Sequence, residues 1–202
     1  MDTKMRIVRA AAELYLRFGL RSVTMDQVAG SLAISKKTLY ELFSTKEKLI
    51  MEAMTLYIEE DKCQIDYLFD KSSDAVQLMA LLANDIKERF SRINPVMISD
   101  LQRYYHQLWE ELMSFQDEYV EKMSKVLDWG KEEGLFREEV DSVTLALLLH
   151  KEIEMSFDVE VIDPVKFSVQ DVQMQFLSHY IHGLVTEKGR VLLEKYNKEG
   201  LK

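Results

Sequence analysis

The chain has 202 residues, of which 47% are hydrophobic and 30% charged, and it contains 7 glycines, 2 prolines and 1 cysteine. This length suffices for one large domain or two small ones. So few glycines and prolines argue against an all-β sandwich and against a disordered chain. The single cysteine, Cys63, excludes a disulfide framework and a cysteine-based zinc site. We therefore expect an all-α fold.

Charge is distributed unevenly along the chain, whose formal net charge is −9. Residues 1–50 contain nine basic and five acidic residues, a net charge of +4, whereas residues 51–202 carry a net charge of −13. A small basic region joined to a larger acidic one is typical of a polyanion-binding domain on a separate body. The sequence thus predicts two domains, 1–50 and 51–202. Without an apolar leader or a run of about 20 apolar residues, we expect a cytoplasmic protein with no membrane contact.

The first fifty residues predict three short helices and the start of a fourth. Apolar residues three and four apart give the first helix a buried stripe that ends at Phe18, and Gly19 suits its carboxyl end. Thr24 and Gln27 form a predicted capping box at the start of the second helix, which extends to about Ser31.

The third helix is predicted from Lys36 to about Leu42 with Ser35 as its N-cap, and the fourth begins near Thr45. Two helices of about seven residues joined by a turn of about four match a helix-turn-helix. The second helix of this pair exposes side chains suited to groove edges and phosphates: Lys36, Lys37, Thr38, Tyr40 and Glu41. Short helical hairpins also serve as plain scaffolding, and the local positive charge favours DNA binding.

Two segments of this region carry a specific signature. They read Thr24-Met25-Asp26-Gln27-Val28-Ala29 and Ile34-Ser35-Lys36-Lys37-Thr38-Leu39-Tyr40-Glu41-Leu42-Phe43-Ser44-Thr45-Lys46-Glu47. In order and spacing, residues 5–54 resemble the tetracycline-repressor (TetR) family of bacterial regulators. The remainder resembles that family only in length, helical content and the segment 130–137. One departure is Ala33, where the family usually has glycine; in a left-handed conformation its methyl group would cost about 1 kcal/mol.

The resemblance implies that seven residues bind DNA: Thr24, Ser35, Lys36, Lys37, Thr38, Tyr40 and Lys46. Thr24 would hold a phosphate at the amino end of the second helix. The start of the third helix would enter the major groove, where Lys37 can reach a guanine. Tyr40 and Lys46 would contact the DNA backbone. The alternatives are that Tyr40 is a half-buried aromatic residue that stabilises the third helix, and that Lys46 is an ordinary solvated lysine.

Beyond residue 62 the periodicity predicts a helical bundle. Its helices are expected over about 75–92, 96–131 with one break near 106–108, 143–157, 169–184 and 186–197, with a loop over 158–167. The start signals are Ser73 or Asp74, Asn94-Pro95 and Asp141-Ser142.

The resemblance also implies that the helices near 143–157 and 169–184 pair two subunits into a homodimer. Their apolar residues exceed what one protomer easily hides: Leu145, Leu148, Leu149, Met155, Met174, Phe176, Leu177, Tyr180 and Ile181. A dimer would place two recognition helices on a pseudo-palindromic DNA site.

In the family the middle helices of the body bind a small molecule, and an apolar or amphipathic effector is expected here. Candidate pocket residues are Phe90, Tyr105, Trp109, Met113 and Met155, each of which core packing explains equally well. His150 with Glu154 has metal-ligand spacing, as has His179 with His182, but no third ligand is evident. We expect no metal and no cofactor.

The sequence contains no phosphate loop, dinucleotide fingerprint or nucleophile elbow, so we do not expect an enzyme. Two functional hypotheses remain. The first is a sequence-specific DNA-binding regulator, a repressor that a small molecule releases from its operator. The second is a helical ligand-carrying or protein-interaction module that does not bind an operator.

Overall fold

The computed structural model describes residues 2–114, 116–158, 161–163 and 165–199, which form helices joined by short turns. The helices are α1 Thr3–Phe18, α2 Met25–Ser31, α3 Lys36–Leu42, α4 Lys46–Lys71, α5 Ala75–Arg92, α6 Pro95–Tyr104, α7 His106–Met113, α8 Gln116–Glu132, α9 Ser142–Ser156, α10 Val169–Leu184 and α11 Glu187–Glu199. The predicted all-α fold is confirmed.

The chain packs as two compact units, and each unit is built from two separate stretches of the sequence. The first unit, the head, contains the chain up to Gln64 together with Arg92–Leu112; the second, the body, contains Ile65–Ser91 and the chain from Met113 onward. Helix α6 therefore packs with the amino-terminal helices. The division of function after residue 50 stays a prediction. Among the described residues, no helix combines the length and apolarity needed to cross a bilayer.

The buried stripe of α1 ends differently from the prediction. Its buried side chains are Ile7, Val8, Ala11, Ala12 and Tyr15. Phe18, predicted to close the stripe, is 47% exposed, and the Arg17 guanidinium lies 5.0 Å from its ring centroid. The chain leaves the helix at Gly19, where φ is 87°, and Leu20 is buried in place of Phe18.

The segment 96–131 breaks twice, so the prediction of one break near 106–108 was wrong. Helix α6 ends at Tyr104, and Tyr105 leaves the helical conformation with φ −129° and ψ 52°. A second break separates Met113 from Gln116, and position 115 lies outside the described residues. Neither break contains the glycine or proline that marks a helix end in sequence. Of the loop predicted over 158–167, residues 159, 160 and 164 lie outside the described residues, and the others are not helical.

The carboxyl end of α8 closes the core of the body. Gly134 takes a positive φ of 67°, and the Phe136 N–H returns to the Gly130 carbonyl at 2.9 Å, as in helix-ending turns of this kind. The Phe136 ring occupies the space that a side chain at Gly130 would need. The Arg137 N–H then bonds to the Leu184 carbonyl at 2.9 Å. The segment thereby ties α8 to the end of α10.

Replacing Gly130 with alanine should destabilise the protein, because the new methyl group would clash with the Phe136 ring. We expect a loss of about 1–3 kcal/mol in the free energy of unfolding, measured by urea denaturation. Gly30→Ala is the control, since no atom lies within 4 Å of the added carbon; it should be neutral or stabilising by up to about 1 kcal/mol. Equal effects of the two variants would contradict this packing argument.

Candidate nucleic-acid interface

Helix α2 begins with the predicted capping box at Thr24. The Thr24 hydroxyl accepts the Gln27 N–H at 3.2 Å, and the Gln27 side-chain oxygen accepts the Thr24 N–H at 2.7 Å. Two backbone donors are satisfied reciprocally, which fixes the direction in which the chain enters α2. On the opposite face, Val28 and Ala29 are buried. The amino end of α2 and the Thr24 side chain remain exposed.

The turn between α2 and α3 depends on a left-handed residue. Ala33 has φ 53°, and among the described residues it is the one non-glycine with a positive φ. Its N–H bonds to the Gly30 carbonyl at 3.2 Å, and the Ile34 N–H bonds to the Ala29 carbonyl at 3.1 Å. Ala33, where the resembled family usually has glycine, therefore carries the steric strain of a methyl group in the left-handed conformation. Ser35 then caps α3 by accepting the Thr38 N–H at 3.0 Å.

Helix α3 buries one residue and exposes a row of cations and donors. Leu39 is fully buried, whereas Tyr40 is 43% exposed. The Lys36 ammonium lies 2.8 Å from an Asp26 carboxylate oxygen, and this pairing raises the pKa of Lys36. The Lys37 ammonium lies 3.9 Å from Glu41 and is the more exposed of the two. Both lysine side chains therefore lie on the surface of α3.

Lys46 is held in place at the start of α4. Its ammonium donates to the Arg21 carbonyl at 2.9 Å. Partial burial lowers the pKa of Lys46, although Glu47 and Asp100 oppose that shift. The bond connects the start of α4 with the chain between α1 and α2, and so fixes where this charge is presented.

Helix α6 holds the same chain segment from the other side. The Asp100 carboxylate, 6% exposed, accepts the Arg21 N–H at 3.0 Å. The Arg21 guanidinium lies 4.3 Å from the Tyr104 ring centroid, a favourable cation–π geometry. At the start of α6, the Asn94 side-chain amide donates to the Arg17 carbonyl at 3.1 Å, and its backbone N–H donates to the Leu16 carbonyl at 2.7 Å.

Sequence reasoning missed this role of α6. One signal was available, because Asp100 interrupts the apolar face formed by Met97 and Leu101, where a carboxylate must find a donor. The donor, a backbone N–H 79 positions earlier, cannot be read from periodicity.

The five residues predicted to line an effector pocket fall into both units. Tyr105 and Trp109 belong to the head, and Phe90, Met113 and Met155 belong to the body. In the body, Phe90 packs against Phe157 with ring centroids 5.3 Å apart. A groove of about 340 Å³ between α5, α10 and α11 is lined by other residues, among them Lys87, Met174 and Tyr196. The effector role of the five residues stays a prediction.

The sequence was compared with known families. Residues 7–53 match the sequence profile described as "Bacterial regulatory proteins, tetR family". This match coincides with α1 to α3 and the start of α4, the elements that hold the capping box, the left-handed turn and the exposed lysines. The amino-terminal region of the chain, residues 7–53, therefore matches the TetR family.

Relatives of the chain are named as transcriptional regulators of the helix-turn-helix (HTH) type. The chain is 35% identical over 72 residues to the uncharacterized HTH-type transcriptional regulator YhgD of Bacillus subtilis, covering 36% of this chain and 38% of YhgD. It is 27% identical over 132 residues to the HTH-type transcriptional regulator QacR of Staphylococcus aureus, covering 62% and 63% of the two chains. The matched part of the chain thus spans between about two fifths and two thirds of the length of these relatives.

Solved structures support the fold over nearly the whole chain. A transcriptional regulator from Cytophaga hutchinsonii superposes with a TM-score of 0.69 at 17% identity, covering 92% of this chain and 100% of that chain. A regulator from Saccharomonospora viridis, solved in complex with choline, superposes with a TM-score of 0.64 at 18% identity, covering 91% and 98%. At these identities the likeness establishes the shared all-α fold.

Ala33→Gly should stabilise the helix-turn-helix by about 1 kcal/mol, because glycine adopts the left-handed conformation without the methyl strain. The free energy of unfolding from urea denaturation measures the gain. Ala29→Gly, a buried helical position with normal φ, is the control and should destabilise. A loss of stability in Ala33→Gly would refute the assignment of strain to this turn.

Asp100→Ala should lower the free energy of unfolding by about 1–3 kcal/mol, because it leaves the Arg21 N–H without its buried acceptor. Chemical denaturation followed by circular dichroism provides the measurement. Glu59→Ala removes an exposed acid of α4 in the same unit and should change stability little. If Asp100→Ala behaved like this control, Asp100 would not be holding the α1–α2 segment.

Proposed function

We propose that this protein is a TetR-family transcriptional regulator that binds duplex DNA through α3. The observation that carries the proposal is the exposed row on α3, where Lys36, Lys37 and Tyr40 stand outward from a helix anchored by the buried Leu39. A short helix presented in this way fits the major groove, and its amino-terminal side chains reach base edges.

The proposed contacts divide into two kinds. Ser35, Lys36, Lys37 and Thr38 enter the major groove, with Lys37 as the base contact because its side chain is more exposed than that of Lys36. Thr24, Tyr40 and Lys46 contact phosphates and set the register of the protein on DNA. The Lys46 anchor on the Arg21 carbonyl supports this role, since it orients the ammonium before DNA arrives.

The proposed functional unit is a homodimer formed through α9 and α10. Of the nine apolar residues considered for this role, Leu149, Leu177, Tyr180 and Ile181 are buried within the protomer. Helix α9 nevertheless exposes four large apolar side chains: Val143, Leu147, Leu148 and Met155. Such a face supports a protein interface, and a two-fold axis would pair two recognition helices on a pseudo-palindrome.

We further propose that the protein represses transcription and that a small molecule bound in the body releases it from its operator. The choline complex of the Saccharomonospora viridis regulator supports small-molecule binding by this fold. An effector would act by favouring a conformer whose recognition helices are wrongly spaced, with a coupling of about 1–3 kcal/mol.

A salt titration separates this proposal from the alternative of a ligand-carrying or protein-interaction module. Fluorescence anisotropy would compare duplex DNA from beside the protein's own gene with scrambled DNA, and selection from a random duplex pool would follow if neither bound tightly. Sequence-selective affinity that falls steeply between low and moderate salt supports the regulator, because neutralised phosphates release counterions. If the pool also yields no selective sequence, the module is favoured.

Tyr40→Phe and Lys46→Ala should each weaken operator binding without changing the dimer or its thermal melting, because water can replace the Lys46 ammonium at the exposed Arg21 carbonyl. Loss of the Lys46 contact should also reduce the slope of log affinity against log salt by about 1. Matched controls are Tyr67→Phe and Lys125→Ala, exposed residues of α4 and α8 outside the helix-turn-helix. Unaltered affinity in both test variants would overturn the phosphate assignments.

Leu148→Glu should dissociate the dimer, because it places a charge on the apolar face of α9, where Leu148 is 50% exposed. Sedimentation equilibrium measures the mass. Val191→Glu makes the same change at an exposed position on α11 and should leave the dimer intact. A monomer in the second case and a dimer in the first would move the interface away from α9.

A further inference from the structure

The head holds two positively charged residues next to each other, Arg21 and Lys46. The Lys46 ammonium donates to the Arg21 carbonyl at 2.9 Å, so the two residues are in direct contact. Burial lowers the pKa of Lys46, and the positive charge of Arg21 acts in the same direction, because like charges repel. Folding thus brings together two charges that disfavour each other, and an anion bound to both would relieve the repulsion.

The carboxylates near these two residues do not form ion pairs with them. Glu47 and Asp100 oppose the lowering of the Lys46 pKa from a distance, and Asp100 accepts the backbone N–H of Arg21 at 3.0 Å. Among the residues whose side chains the structure describes, no carboxylate forms an ion pair with the Arg21 guanidinium or the Lys46 ammonium. The two lysines of α3 differ in this respect, since each has a carboxylate partner.

The Tyr104 ring at the end of α6 holds the Arg21 guanidinium. Its centroid lies 4.3 Å from the guanidinium carbon, and the tyrosine is 53% exposed. A guanidinium over an aromatic face keeps N–H donors at its edge, which match the oxygens of a phosphate. Within the described part of the chain, no group accepts a hydrogen bond from this guanidinium. Tyr104 therefore presents the charge and leaves its donors to a ligand.

The two cations lie beside the start of the helix-turn-helix. Arg21 precedes Thr24 by three residues, so their Cα atoms are at most about 11 Å apart. Thr24 and Lys46 are the phosphate contacts proposed above. Duplex DNA carries one negative charge per about 1.7 Å of its axis, so several phosphates fall within this distance. The anion that suits Arg21 is therefore a phosphate of the same DNA backbone.

We propose that Arg21 binds a phosphate of the DNA backbone next to the one bound by Lys46, and that Tyr104 is a positioning residue that orients the Arg21 guanidinium. This inference rests on the proposed function and adds to it a DNA contact from the segment between α1 and α2. It also explains why a large aromatic ring is exposed at the end of α6, and why two like charges lie together without ion-pair partners.

Arg21→Gln tests the contact. It removes one charge but keeps the backbone groups that bond to Asp100 and Lys46, so the melting temperature should change little. Affinity for the duplex selected from the random pool should fall about tenfold. The slope of log affinity against log salt should fall by about 0.9 for each bound protomer.

Two further variants control for charge. Arg21→Lys keeps the positive charge and should keep the slope of the unaltered protein. Arg190→Gln removes an exposed arginine of α11 in the body and should leave both affinity and slope unchanged. An unchanged slope in Arg21→Gln, or an equal fall in Arg190→Gln, would overturn the contact.

Tyr104 is tested by separating affinity from slope. Tyr104→Ala leaves the Arg21 charge in place but removes the ring, so affinity should fall about threefold with no change in slope. Tyr104→Phe keeps the ring and should bind like the unaltered protein. Tyr67→Ala removes a ring that lies 4.4 Å from the Lys71 ammonium in the body and should not affect DNA binding. Full affinity in Tyr104→Ala, or no rescue by Tyr104→Phe, would refute the positioning role.

DNA binding by the unaltered protein keeps this inference separate from the proposed function. Selective binding with an unchanged slope in Arg21→Gln overturns the contact and leaves the regulator intact. Failure to bind any duplex selectively overturns both. Inorganic phosphate provides a further arm: if it raises the melting temperature of the unaltered protein but not of Arg21→Gln, while the slope on DNA is the same for both, the two cations bind a free anion and the DNA contact is overturned.

Discussion

The head is organised around the backbone of a single residue. Arg21 gives its N–H to the Asp100 carboxylate of α6 and its carbonyl to the Lys46 ammonium of α4. Neither backbone group lies in a helix, so each takes its partner from a side chain or from water, and here both partners are side chains. By supplying both, α4 and α6 fix the segment that leads from α1 into the capping box at Thr24. The exposed face of α3 depends on that alignment.

Local chemistry made the helix-turn-helix of the head predictable. The capping box at Thr24 and the N-cap at Ser35 involve residues three positions apart, and both helix starts were predicted correctly. The strain at Ala33 was expected from the family resemblance, because the family usually has glycine at this position, and the φ of 53° confirms the left-handed backbone. Tests of DNA binding such as those on Tyr40 and Lys46 can therefore be designed from local signals.

Long-range contacts were not predictable. The place of α6 in the head depends on hydrogen bonds from Asn94 and Asp100 to positions more than 75 residues earlier, and periodicity carries no information on such pairs. The break at Tyr105 was missed because neither glycine nor proline marks it. In the body, the burial of Gln173 on α10 could not be predicted, since a polar residue on an apolar stripe looks like an interruption until its surroundings are known.

The anchoring of Lys46 has a consequence for binding energetics. A free lysine side chain samples many rotamers, and fixing it on a phosphate costs conformational entropy of up to about 2 kcal/mol. Here folding has already restricted that side chain, because its ammonium is bonded to the Arg21 carbonyl. In the proposed complex, part of the conformational entropy of the Lys46 side chain is therefore already lost on folding. Less of it is lost on binding, so the attraction between the ammonium and the phosphate contributes more to the affinity.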